Sequence, residues 1–150
     1  MGKKVVKVLG FSARERQFAI KTANVSFTVK DGRELVREVN ASSEELLLAR
    51  LAGSIHSVGN LLGSTLKLDL KSIQIEVSGE LDSNLQDEVN GVEKFKRVDI
   101  IVKPTTPASI VLLKEWMDAI KSACPIFSMF KEKTPTVLTL VKEYDRVKVA

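Results

Sequence analysis

Apolar and polar residues alternate through the first forty positions. Val25, Phe27 and Val29 are separated by Ser26 and Thr28, the period-two pattern of a half-buried strand. Asp31-Gly32 follows, a dipeptide that suits a tight hairpin because both positions tolerate positive φ. Glu34 to Val39 then reads as the return strand. Upstream, Lys4 to Leu9 and Gln17 to Thr22 pair around the Phe11–Arg16 stretch. The opening is therefore predicted as an antiparallel meander.

The period changes at Ser42. Ser42 and Glu45 have the three-residue spacing of a capping box, in which each side chain satisfies the other's backbone N–H. Apolar residues then follow densely, from Leu46, Leu47 and Leu48 to Val58, Leu61 and Leu62. They cover nearly the whole circumference of a helix, so this helix belongs in an interior or an interface. Gly63 is the expected C-terminal stop. Gly53 and Gly59 lie inside the helix, where each costs about 1 kcal/mol relative to Ala; both are expected to admit another backbone at close range.

A second strand region begins with Ile73, Ile75 and Val77 and runs through Gly79 to Leu81. Asp82 to Gly91 is polar and reads as a loop. Glu93 to Lys103 is the next strand, and its apolar parity shifts between Phe95 and Val98, the mark of a bulge. Thr106-Pro107 is expected to open a second helix, with Thr106 as cap. Ile110, Leu113, Trp116, Met117 and Ile120 form its apolar stripe. Cys124-Pro125 interrupts it, placing Cys124 at the N-cap of a short helix through Phe130. Thr136 to Val141 is a last strand. No internal repeat, low-complexity tract or second domain is visible, so residues 1–150 read as a single α+β domain.

Composition narrows the picture. The 150 residues are 44% hydrophobic, enough for a core and against disorder. The net charge of +4 arises from 23 Lys and Arg against 19 Asp and Glu. These charges are interspersed and do not alternate with aromatics, which argues against a nucleic-acid surface. No segment is long and apolar enough to span a bilayer, and Met1 to Gly10 lacks the apolar run of a signal peptide. The single cysteine, Cys124, rules out an intramolecular disulfide, and a cytoplasmic location is the natural expectation.

Few residues offer chemistry. Cys124 at a helix N-terminus would meet free N–H groups and the positive end of the dipole, which favour thiolate; a small buried hydrophobe is the alternative reading. His56, the only histidine, cannot build a metal site with one distant cysteine. It lies two positions after Ser54, on nearly the opposite side of the helix, so a Ser54–His56 pair is not expected; His56 reads as a polar side chain satisfied at the core edge. Phosphate loops, nucleophile elbows and Cys-x-x-Cys motifs are missing. No cofactor is indicated.

Four segments, in order, resemble the OsmC/Ohr family of thiol peroxidases that remove organic hydroperoxides. Ser43-Glu44-Glu45-Leu46-Leu47-Leu48, continuing through Ala49, Leu51, Ala52, Gly53 and Ser54, is similar to the family's helix "PEELLLAALAGC". Ile75 to Asp82 resembles the strand that follows that helix, and Phe95 to Val102 the next. Ala123-Cys124-Pro125-Ile126 looks like the family's "CPV" motif. Together they span about residues 40 to 140. The resemblance implies antiparallel sheets around a long buried central helix, in an intertwined homodimer. It also implies an attacking cysteine at position 54, a resolving cysteine at position 124, and an assisting Glu at 44. An Arg from the N-terminal strands completes the set, with Arg14 the choice and Arg16 close behind. A small hydrophobic peroxide would be the substrate and a dithiol the reductant.

The chain departs from that pattern where it matters most. Ser54 stands at the attacking position, and Ser43 replaces the usual proline. Reduction of a peroxide requires a thiolate that becomes sulfenic acid, and a hydroxyl cannot enter that ladder. The two-cysteine cycle is therefore absent from the sequence as written. A member that lost the reaction, a one-cysteine peroxidase using Cys124, and a deliberate Cys→Ser exchange all fit, as does a binding module for a small hydrophobic or oxidised ligand.

Overall fold

The computed structural model describes residues 5–12, 17–22, 26–30, 33–34, 42–82 and 94–142. In chain order these form β1 (Val5–Ser12), β2 (Gln17–Lys21), β3 (Ser26–Lys30), β4 (Arg33–Glu34), α1 (Ser43–Thr65), β5 (Ser72–Leu81), β6 (Phe95–Thr105), α2 (Ile110–Ala123), α3 (Pro125–Lys133) and β7 (Thr136–Leu140). Among the described residues the strands make one seven-stranded sheet, in the order β4-β3-β2-β1-β5-β6-β7. The α+β class is as expected.

The N-terminal meander follows from its alternation and turns. β1 pairs antiparallel with β2, Leu9 opposite Lys21 and Ser12 opposite Phe18. β3 pairs with β4 through Lys30 and Arg33, which leaves Asp31-Gly32 between them. The expected turn itself, and the return strand beyond Glu34, lie outside the described residues, as does most of the expected loop from Asp82 to Gly91. β5 and β6 pair antiparallel with a register shift, Glu80 opposite Arg97 but Leu81 opposite Phe95. Lys96 is thus the extra residue of the bulge that the parity change announced. β7 joins β6 in parallel, Val98 opposite Thr136, because α2 and α3 carry the chain back to the same end of the sheet.

The capping box on α1 is complete. Ser42 Oγ accepts the Glu45 N–H at 3.0 Å and Glu45 Oε1 accepts the Ser42 N–H at 2.9 Å. Gly63 is not the stop. The helix runs on to Thr65 and ends at Leu66, and Lys67 turns the chain with a φ of 57°. Gly63 instead serves packing: a Cβ there would lie 2.3 Å from Leu70 Cδ1. Gly59 also departs from expectation. It faces a side chain, not a backbone, and its carbonyl accepts the Trp116 indole N–H at 2.8 Å.

α2 begins three residues later than expected. Ser109, not Thr106, caps it, accepting the Leu112 N–H. Thr106 Oγ1 accepts the Ala108 N–H and donates to the Leu68 carbonyl, tying the lead-in to the end of α1. Leu113, Trp116, Met117 and Ile120 are buried as the stripe required, whereas Ile110 is exposed. The core lies between the helices and one sheet face, where α1 packs on β1, β2 and β5 and against α2 and α3. Among the described residues no helix is long and apolar enough to cross a membrane.

Candidate functional site

α1 and the α2–α3 junction bring Ser54 and Cys124 together. They are 70 positions apart in sequence, yet Ser54 Oγ lies 3.2 Å from Cys124 Sγ. Pro125 at the first position of α3 breaks the chain from α2, and Cys124 occupies the cap between the two helices. Its backbone is held in both directions, its N–H donating to the Ile120 carbonyl and its own carbonyl accepting from Ser128. The thiol makes no capping hydrogen bond and is fully buried, at 0% exposure. Cys124 therefore stands at the cap where the sequence placed it, and it is buried as the alternative reading expected.

Glu44 lies elsewhere. Ten residues of helix rise about 15 Å, so Glu44 and Ser54 of one chain stand at opposite ends of that span. Glu44 Oε1 accepts from Lys94 Nζ at 2.6 Å, at the foot of β6. The hydrogen bond from Lys94, reinforced by Ser43 and opposed by burial, holds the Glu44 carboxyl down to about 2. Arg14 and Arg16 lie outside the described residues.

His56 turns away from Ser54, as the helical phase required. Its Nε2 lies 3.0 Å from Ser12 Oγ at the end of β1 and 3.2 Å from Asn60 Nδ2 one turn along α1. Asn60 can only donate through that nitrogen, so Nε2 accepts and the imidazole is neutral. Phe18 stacks on the ring at 4.2 Å between centroids. Burial pushes the His56 pKa down to about 4. Ser12 is itself anchored, accepting the Ile73 N–H at 2.9 Å.

Lys94, Ser12 and Phe18 escaped the sequence reading because their contacts join distant strands to α1. Asn60 carried a signal, since it follows His56 at the i+4 spacing of helical neighbours. Among the described residues no group of three or more His, Cys, Asp or Glu could hold a metal ion.

Comparison with known proteins gives this geometry its context. The chain is similar in structure to an OsmC-like hydroperoxide resistance protein from Jannaschia sp. (TM-score 0.70, 13% identity, covering 86% of this chain and 87% of that one). It is similar also to an OsmC-like protein from Mycoplasma pneumoniae (TM-score 0.61, 15% identity, 96% and 99% covered). The organic hydroperoxide resistance protein OhrB of Bacillus subtilis matches with a TM-score of 0.54 at 17% identity, with 94% and 98% covered. No curated protein matches in sequence. At these identities the solved structures speak for the fold alone, but the sequence profile of the OsmC-like proteins matches residues 36–139, more than half of the chain. On that ground the chain belongs to the OsmC-like protein family.

Proposed function

We propose that this chain is an OsmC/Ohr-type protein whose peroxidase site is disarmed at one atom. The observation that carries the reading is the 3.2 Å contact between Ser54 Oγ and Cys124 Sγ. In the proposed ancestral cycle a thiolate at position 54 attacks the O–O bond of a hydroperoxide, leaving as alcohol the part it does not keep, and becomes sulfenic acid. The thiol at position 124 then displaces water to form a disulfide, and an external dithiol restores both thiols. Oxygen at position 54 stops the first step, and every later step depends on it.

Use of Cys124 alone is the weaker reading, because its complete burial denies a bulky hydroperoxide approach to the sulfur. Glu44 is held by Lys94, and any role for it at a Ser54 site would run through a second chain or through an intermediary such as Arg14. We infer a cytoplasmic homodimer, in which partly covered Leu46, Leu47 and Leu62 of α1 find their remaining cover. Arg14 stays our choice for the arginine beside Ser54.

The test is consumption of cumene hydroperoxide in the presence of a dithiol reductant. The protein as it stands should show no turnover above buffer, and Ser54→Cys should gain it. Turnover by the unmodified protein that disappears in Cys124→Ala would overturn this reading in favour of a one-cysteine peroxidase. A Ser54→Cys variant that folds but neither turns over nor oxidises would make a binding module for a small hydrophobic or oxidised ligand the better account.

A further inference from the structure

α1 carries few charges. Glu44 and Glu45 stand in its first turn, and beyond them Arg50 is the only Asp, Glu, Lys or Arg before the helix ends at Thr65. A helix turns by about 100° per residue, so four residues bring the chain nearly back to the same side. Arg50 and Ser54 are therefore helical neighbours, with Cβ atoms about 5–6 Å apart. Leu47, Val58 and Leu61 fall on the same stripe, each within about 40° of Ser54. The other side of the helix, with Leu48, Ala52 and Ile55, is buried in the core.

Arg50 is exposed and Ser54 half-buried. The other element that meets Ser54 is the α2–α3 junction, and what it presents there is the Cys124 thiol. The charged side chains of α2 and α3 are all exposed or half-buried, on the outward sides of those helices. The separation of Arg50 from position 54 is fixed by α1 itself and depends on no other segment of the chain.

We propose that Arg50 is the positioning cation of the position-54 site, its guanidinium favouring the thiolate of a sulfur one helical turn away. This rests on the reading of position 54 as the attacking position. A thiol there lies in mid-helix, where the dipole contributes little, so its activation has to come from a nearby positive charge. In the attack the thiolate sulfur takes the terminal OH of the hydroperoxide and becomes sulfenic acid. The O–O bond breaks, and the alkoxide leaves and takes a proton from water. Arg50 exchanges nothing in that step; it sets how much thiolate is present to begin it.

The scale follows from the separation. A unit charge roughly 7 Å away in water-like surroundings lowers a thiol pKa by about 0.4. A second copy of the chain over part of the stripe excludes water and enlarges the effect.

The test titrates the only thiol of Ser54→Cys combined with Cys124→Ser, through its rate of alkylation against pH at low salt. Adding Arg50→Ala should raise the pKa of that thiol by at least about 0.4. Arg50→Lys should restore it, and Arg50→Glu should raise it about twice as far as Arg50→Ala does. Added salt should shrink all of these differences. Position 50 is exposed, so the three variants should fold. One pKa common to the Ala, Lys and Glu variants would overturn the assignment. So would a change that Arg50→Lys fails to restore, since packing and not charge would then be responsible. A rise in Arg14→Ala with none in Arg50→Ala would give the role to Arg14. Hydroperoxide turnover is measured separately in Ser54→Cys. Turnover with a thiol indifferent to Arg50 would sink this inference alone, and an Arg50-dependent thiol without turnover would sink the peroxidase reading, so the two fail distinguishably.

Discussion

Ser54→Cys should do more than introduce a nucleophile; it should permit a cross-link whose stabilising effect follows from the fold. The two positions enclose a loop of 70 residues. In the chain-entropy account, closing a loop of that length in the unfolded state stabilises the native state by about 4 kcal/mol. For a domain of 150 residues each kcal/mol moves Tm by roughly 2–4 °C, so oxidation should raise Tm by roughly 8–16 °C. Native geometry sets how much of this survives. An S–S bond is about 2.05 Å, against the present O···S separation of 3.2 Å, so the two side chains need to close by about 1 Å. The assay is a pair of melting curves, for the variant treated with one equivalent of cumene hydroperoxide and for the same sample kept reduced, alongside intact mass. The oxidised sample should be lighter by two hydrogens and melt higher. Ser54→Cys combined with Cys124→Ser should take up oxygen instead, as sulfenic acid, with no gain in Tm. A variant that gains neither the mass change nor the Tm shift would refute the claim that positions 54 and 124 are arranged as an attacking and a resolving thiol.

His56 is held neutral well below its ordinary value, so the unfolded chain binds its proton first. Its contribution to stability is complete above pH 6.5 and is lost as pH falls toward 4, a change of about 3 kcal/mol at most; His56→Gln should flatten urea stability over that window. Glu44 acts lower. Its carboxyl is depressed from 4.5 to about 2, so its stabilisation is present above pH 4.5 and lost as pH falls through 2. Partial solvent access limits it to about 1–2 kcal/mol, and Lys94→Met should return the NMR-observed Glu44 titration to near 4.5. Cys124, fully buried, should resist iodoacetamide until the protein unfolds; rapid alkylation of the native protein would show that the α2–α3 junction opens. The protein should sediment as a dimer at micromolar concentration, and a monomer mass would remove the case for an intertwined assembly.

Much of the fold was legible because local rules and global packing agree. Ser42 and Glu45 announced the start of α1 through backbone groups that need partners within one turn, and the parity change after Phe95 announced its bulge through the strand's own period. Helix ends were harder. Gly63 looked like a stop, but Leu70 needed the space that its missing Cβ leaves, and Lys67 took the left-handed turn instead. Thr106 looked like a cap, but the carbonyl of Leu68 claimed its hydroxyl. In both cases a tertiary contact decided between local options of similar cost. The site divided in the same way. Positions 54 and 124 were visible through motifs, while the Glu44–Lys94 and Ser12–His56 contacts join residues 50 and 44 positions apart, beyond any helix or strand period.

The order of strands has its own consequence for how the protein is made. β1 lies between β2, its neighbour in sequence, and β5, whose Val77 pairs with Val8 about seventy positions earlier. The meander β1–β4 can zip through short turns, and α1 can nucleate from its own capping box. The β1·β5 seam must wait, because closing a seventy-residue loop costs roughly 2 kcal/mol more than closing one of nine residues. As a chain leaves the ribosome its first strand is therefore ready well before its partner exists. Through that interval the hydrogen-bonding edge of β1 stands open, and the time needed to synthesise and fold α1 and β5 sets how long the nascent protein is exposed to mispairing.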